Sequence, residues 1–172
     1  MILTLSELKQ QFPDKTDFEL SSRESAIECF IRSYTNNHFQ QRLVRFYADI
    51  VGGVVQGASA YINVGDTVEI STSINNGIYT VTAITADTMT LDGDIFDCAN
   101  NLFTKIIYPP DVKMGALNLL KWEFEQREKV GVKSESISRY NVTYYDNDAN
   151  NTVNGYPAAL MGFLKPYCKA RF

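Results

Sequence analysis

The single histidine, His38, and the three cysteines, Cys29, Cys98 and Cys168, are the side chains of this sequence best suited to nucleophilic or metal chemistry. Any His-dependent nucleophile must use His38, which lies in Asn36-Asn37-His38-Phe39 just past a helical segment, and a capping or surface role accounts for it without chemistry. The cysteines are widely spaced and odd in number, and they form no Cys-x-x-Cys or Cys/His pattern of metal-ligand spacing. They read as reduced thiols of a cytoplasmic protein. Asp92, Asp94 and Asp97 lack the calcium-loop pattern and suit a solvated turn. No catalytic residue, metal site or cofactor is expected.

Recognition of other macromolecules is the remaining class, and charge narrows it. No Lys or Arg occurs between Arg45 and Lys105, while Asp49, Asp66, Glu69, Asp87, Asp92, Asp94 and Asp97 do, so residues 46–104 carry −7 and the remainder +3 of a net −4. Binding a polyanion draws on Lys and Arg that neutralise phosphates. The acidic stretch therefore suits a solvated decoration or a protein-docking surface better than a nucleic-acid groove. After Asp148 the pattern inverts: there is no acid, and Lys165, Lys169 and Arg171 accompany Tyr156, Leu160, Phe163, Tyr167 and Phe172. This combination offers aromatic anchors with electrostatic steering, as in a docking tail. The same apolar residues would equally pack a last helix onto a helical core.

The elements that must position these residues follow from periodicity. Ser6 can cap a short helix closed by Pro13, and a second helix runs from about Asp17 or Ser21 to Tyr34. In that helix Ala26, Ile27, Phe30, Ile31 and Tyr34 share a face and Arg23, Glu24, Glu28 and Arg32 lie largely elsewhere. From about residue 40 to 108 the period is two, with Thr67–Ser71, Ile78–Thr85 and Thr88–Leu91 bounded by Gly65-Asp66, Asn75-Asn76-Gly77 and Asp92-Gly93-Asp94. Five or so short strands imply a small closed barrel. Helix returns at Pro110 and extends to about Val130, with Gly131 as its cap. Residues 134–145 read as extended, the Asn/Asp-rich stretch 146–154 as loop, and a final helix begins near Pro157. The expected architecture is α+β: an α-helical bundle from residues 1–39 and 109–172, interrupted by a separable β-barrel domain at 40–108.

Two parts of this order resemble a known family. The helix closing at Gly131, then Ser134-Glu135-Ser136-Ile137-Ser138-Arg139-Tyr140, then Tyr156-Pro157 opening a last helix that ends Leu164-Lys165-Pro166-Tyr167, is similar to the phage head–tail connector (adaptor) proteins. The family usually has Gly where Ser138 stands and an acid where Arg139 stands. The middle stretch, Val64–Ile70 and Asn75–Val81, resembles the small SH3-like barrels of phage structural proteins. The resemblance implies a virion protein of the neck, assembled in the host cytoplasm. It would form a ring, dodecameric in the family, beneath the portal protein and linked to further tail or head-closure proteins, and DNA would pass through without specific binding. Portal or ring docking would fall to Tyr156, Leu160, Phe163, Lys165, Tyr167, Lys169, Arg171 and Phe172. Contacts between neighbouring copies would fall to Met114, Leu117, Lys121, Ser134, Glu135, Ser136 and Tyr140, although the helix 111–130 serves equally as internal core. A head-closure or tail-completion protein is the alternative within the same particle. A cytoplasmic nucleic-acid-binding regulator is the alternative of another class. The N-terminal region, charged from Glu7 onward, and the lack of a long apolar run lead to an expectation of neither secretion nor membrane spanning.

Overall fold

The computed structural model describes residues 1–126 and 152–170, together with the backbone of two strands at 134–137 and 140–143. The first helix, α1 (Leu5–Gln11), starts at Thr4 rather than Ser6. The Thr4 hydroxyl accepts from the Glu7 backbone N–H and the Glu7 carboxylate accepts from the Thr4 N–H. α2 (Asp17–Thr35) repeats the device with Thr16 and Glu19. Each pair satisfies backbone donors that the first helical turn leaves free. α2 ends at Asn36, whose left-handed backbone (φ 48°) closes the helix as an αL cap.

The next six strands close into an antiparallel barrel. They are β1 (Gln40–Val51), β2 (Val54–Gln56), β3 (Thr67–Ser71), β4 (Gly77–Ile84), β5 (Met89–Leu91) and β6 (Cys98–Ile106), joined in the order β1-β2-β5-β4-β3-β6. Closure leaves no open sheet edge. Alternation sends Ile50, Val55, Val68, Ile70, Val81, Met89, Leu91 and Phe103 inward to one apolar core, where Phe46 stacks on Phe103 at 5.3 Å. The β1–β2 hairpin turns on Gly52 and Gly53, both at positive φ, a conformation that a side chain would strain.

After the barrel come α3 (Pro110–Gln126), the paired strands β7 (Ser134–Ile137) and β8 (Tyr140–Thr143), and the small hairpin β9 (Thr152–Val153) with β10 (Tyr156–Pro157). A 3-10 helix, Ala158–Tyr167, closes the described chain where an α-helix was expected. The hairpin falls in and beside the stretch expected to be loop. Gly131, the expected cap of α3, lies outside the described residues.

A helical bundle carrying a small inserted barrel is not what forms. The architecture is a closed six-stranded barrel with helices packed on it. α1 is only two turns long, and the cluster that α2, α3 and the 3-10 helix share is completed by residues at the strand ends. Their apolar side chains, among them Leu8, Leu20, Ile27, Ile31, Leu119, Leu120 and Leu164, share one cluster with Phe39, Ile106 and Tyr108 from the strand ends. Ile78 of β4 packs against the same cluster. Sequence periodicity shows which face of each helix is apolar but not what covers it; here part of the cover is the outside of the barrel.

Candidate functional site

α2 carries a ladder of charged residues one helical turn apart, Glu24, Glu28 and Arg32, which bond in turn to the N-terminal residues, to Tyr108 and to the barrel strand β3. They were expected off the apolar face, yet Glu24 and Glu28 are buried. Glu24 Oε1 accepts from the backbone N–H groups of Ile2 (2.5 Å) and Leu3 (3.2 Å). Glu28 accepts from the Tyr108 hydroxyl at 2.7 Å and pairs with the Met1 ammonium at 3.2 Å. Arg32 Nη2 donates to Glu69 Oε1 on β3 at 2.7 Å. Burial, with the neighbouring Glu28 charge, pushes Glu24 up to about 7. Burial and the Glu28 charge likewise raise the Tyr108 phenol. Burial would raise Glu69 too, but hydrogen bonds from Gln40 and His38 and the Arg32 charge hold it below the ordinary carboxylate range.

His38 belongs to this junction. Its exposed ring places Nδ1 2.8 Å from Glu69 Oε1 and 2.9 Å from Arg32 Nη2. One nitrogen cannot both accept from Arg32 and donate to the carboxylate, so the tautomer decides which contact is a hydrogen bond. Beside it, an open groove of about 740 Å³ runs between α2 and β4, lined in part by Cys29, Ser33, Asn36, His38 and Ile78. Arg32 and Glu28 on its wall are already paired within the chain, so their charges serve the fold. Among the described residues no group of three or more His, Cys, Asp or Glu side chains is placed to hold a metal ion, and no helix is long and apolar enough to cross a membrane.

The expected docking residues divide. Tyr156 is buried, with its ring 5.3 Å from Phe30 and 5.4 Å from Trp122 and its hydroxyl donating to Glu123 at 2.6 Å. It is a core residue. Leu160 and Phe163 are half-buried against the helical cluster, and the Phe163 ring lies directly over Gly115 of α3. Tyr167 packs on Phe39 at 5.8 Å and donates to the Asp111 carboxylate at 2.8 Å, a bond that raises its phenol. The tail after it is tied to the end of α2: Lys169 N–H donates to the Thr35 carbonyl (2.8 Å), and the Asn36 amide to the Ala170 carbonyl (2.9 Å). Lys165 and Lys169 point into solvent. Arg171 and Phe172 lie outside the described residues.

Of the expected subunit-contact residues, Met114 is 59% exposed on α3, while Leu117 is half-buried against the helical core and Lys121 half-buried beside it. Ser134, Glu135 and Ser136 lie in β7 and Tyr140 in β8, paired antiparallel as Ser134 with Thr143 and Ile137 with Tyr140. Several large apolar residues that the sequence did not single out stand in solvent: Phe18, Leu43, Tyr47, Val51, Tyr61, Val64, Ile74 and Phe96. All but Phe18 belong to the barrel and its loops. Strand alternation could have shown Leu43, Tyr47 and Val51, because Val44, Phe46, Ala48 and Ile50 between them supply the inward face. No protein-family model matches the sequence, and no curated protein is similar to it.

Proposed function

We propose that this protein is a structural subunit of a phage particle, a head–tail connector that joins a ring of its own copies beneath the portal. One observation carries the reading: large apolar side chains stand exposed on α2, α3, the barrel wall and the barrel loops at once. Scattered single apolar residues are ordinary on a protein surface. Here they include Phe18 at 81%, Leu43 at 92%, Tyr61 at 72% and Phe96 at 67% exposure, the kind of residue that interfaces between proteins cover. A subunit contacting neighbours on two sides, a portal above and a tail component below, needs apolar surface on several faces. The similarity of the 131–167 region to the connector family points to this assembly among the many that would use such surfaces.

The body suits a mechanical role. The Arg32–Glu69, Glu28–Tyr108 and Lys105–Asp66 contacts, with Lys105 Nζ 2.5 Å from Asp66, tie helix to barrel and strand to loop. Portal docking falls to Lys165, on the 3-10 helix, and to Lys169, on the tail held against α2. Arg171 and Phe172 beyond it extend the same basic and aromatic character. Reversing Lys165 and Lys169 to Glu should slow association with the portal, with a defect that shrinks as salt rises. Co-purification of the double variant with portal at the wild-type rate at low salt would move docking to another face.

A further inference from the structure

The outer face of β1 presents Leu43, Arg45, Tyr47, Asp49 and Val51, exposed in alternation with the inward-facing Val44, Phe46, Ala48 and Ile50. All five are exposed, with Leu43 at 92%, Tyr47 at 62% and Val51 at 58%. Strand geometry spreads these side chains along about 27 Å of one wall. The β1–β6 pairing has two irregularities: between Gln40 and Arg45, β1 carries three residues more than β6 and Leu43 lies in that stretch, with Val44 beside it still packing inward; at the other, near Ala48 and Ile50, β1 itself runs on without an insertion. The extra residue sits on β6, where Asn100 adopts a positive φ and donates its N–H to Asp49 Oδ1 at 2.7 Å. Arg45 has no carboxylate partner among the described residues.

Read from its centre, the stripe is its own complement. Turning it end for end about Tyr47 exchanges Leu43 with Val51 and Arg45 with Asp49, so apolar meets apolar and each cation meets an anion. Contacts of that symmetry are isologous, the kind made by a two-fold dimer. We propose that the β1 wall is a self-association surface, and that its occupant is the β1 wall of a second copy lying antiparallel across it. Tyr47 meets Tyr47 at the axis, flanked by two Arg45–Asp49 pairs, with Leu43 against Val51 at each end. Packed sheets cross at about 30°, which leaves the charge pairs, two residues or about 7 Å from the axis, within reach of an arginine side chain. The proposal is independent of the connector reading, because it concerns the chain alone, without a portal.

Sedimentation equilibrium on the purified full chain tests it. Wild type should populate a dimer at concentrations up to about 10⁻⁴ M. Arg45→Asp and Asp49→Arg should each weaken dimerisation about tenfold, since each breaks two pairs and sets like charges together. The double variant should return to within about threefold of wild type, because the reversed charges match again. Thermal unfolding of each variant reports whether the barrel itself survives. In a background with Cys29, Cys98 and Cys168 changed to Ser, Tyr47→Cys should form a disulfide-linked dimer under mild oxidation, as only a residue on the axis meets itself. A wild type that stays monomeric across this range would overturn the proposal. So would a dimer indifferent to the charge reversals, or a double variant no better than either single one.

Discussion

Glu24 shows what a buried carboxylate does to this protein. One oxygen accepts two backbone N–H groups, the other has no partner among the described residues, and Glu28 stands one turn away. The Met1 ammonium, the Tyr108 hydroxyl and Arg32 complete the charged and titratable groups around the pair. Glu24 holds its proton to about pH 7 when folded and releases it near the ordinary glutamate value of 4.5 when unfolded. Between these values the folded state binds more protons, so stability falls as pH rises and is level above about 7. Glu24→Gln should flatten that slope and make the protein more stable than wild type at pH 8, by an amount on the order of 2 kcal/mol. Denaturant melts at pH 5 and pH 8 measure it, and an unchanged slope would assign the pH dependence to another group. Gly115 offers a second test: a Cβ there would fall 2.3 Å from Phe163 Cζ. Gly115→Ala should destabilise the protein by about 1–3 kcal/mol, yet become neutral or stabilising beside Phe163→Ala, where only the better helix propensity of alanine remains.

At the scale of elements, much was legible because local chemistry decides it. Asn36 stops α2 where the sequence indicates, Val68, Ile70, Met89 and Leu91 point inward, and Pro110 opens α3. Thr4-x-x-Glu7 and Thr16-x-x-Glu19 were equally readable as capping boxes, although Ser6 drew attention first. What could not be read is how the helices meet the barrel. Charges on α2 normally mark its solvated face, and Glu24, Glu28 and Arg32 break that rule because their partners, Ile2, Leu3, Tyr108 and Glu69, come from distant parts of the chain. The last helix is 3-10 rather than α, and Pro166 within it has no N–H to offer a helical hydrogen bond. These junctions also alter an expectation about separability. Excising 40–108 would remove Tyr108, Ile106 and Glu69, taking the phenol from Glu28 and the carboxylate from Arg32 and leaving them only Met1 and His38. Glu69→Ala alone should cost about 3–5 kcal/mol, as is usual when a buried pair loses one member. Urea unfolding measures it, and a loss under about 1 kcal/mol would mean that solvent already screens the junction.

At the scale of the whole molecule, the proposed assembly role rests on how charge and apolar exposure are distributed. The barrel carries seven acids against Arg42, Arg45 and Lys105, with no base at all across residues 46–104, so we expect no affinity for duplex or single-stranded DNA near physiological salt. A gel shift that weakens steeply as salt rises would instead favour a nucleic-acid-binding regulator. The sequence located the acidic module and the basic tail. It did not reveal that Tyr156 is core or that Phe96 is exposed, since burial depends on which elements cover a face, whereas the exposure of Leu43 and Tyr47 was readable from strand alternation. Electron microscopy of the purified protein, alone and mixed with its portal, tests the central claim most directly. Closed rings of this protein should seat on one end of the portal, stacked coaxially with its channel. Portal particles left bare under saturating protein, with subunits dispersed or bound to added DNA, would contradict it.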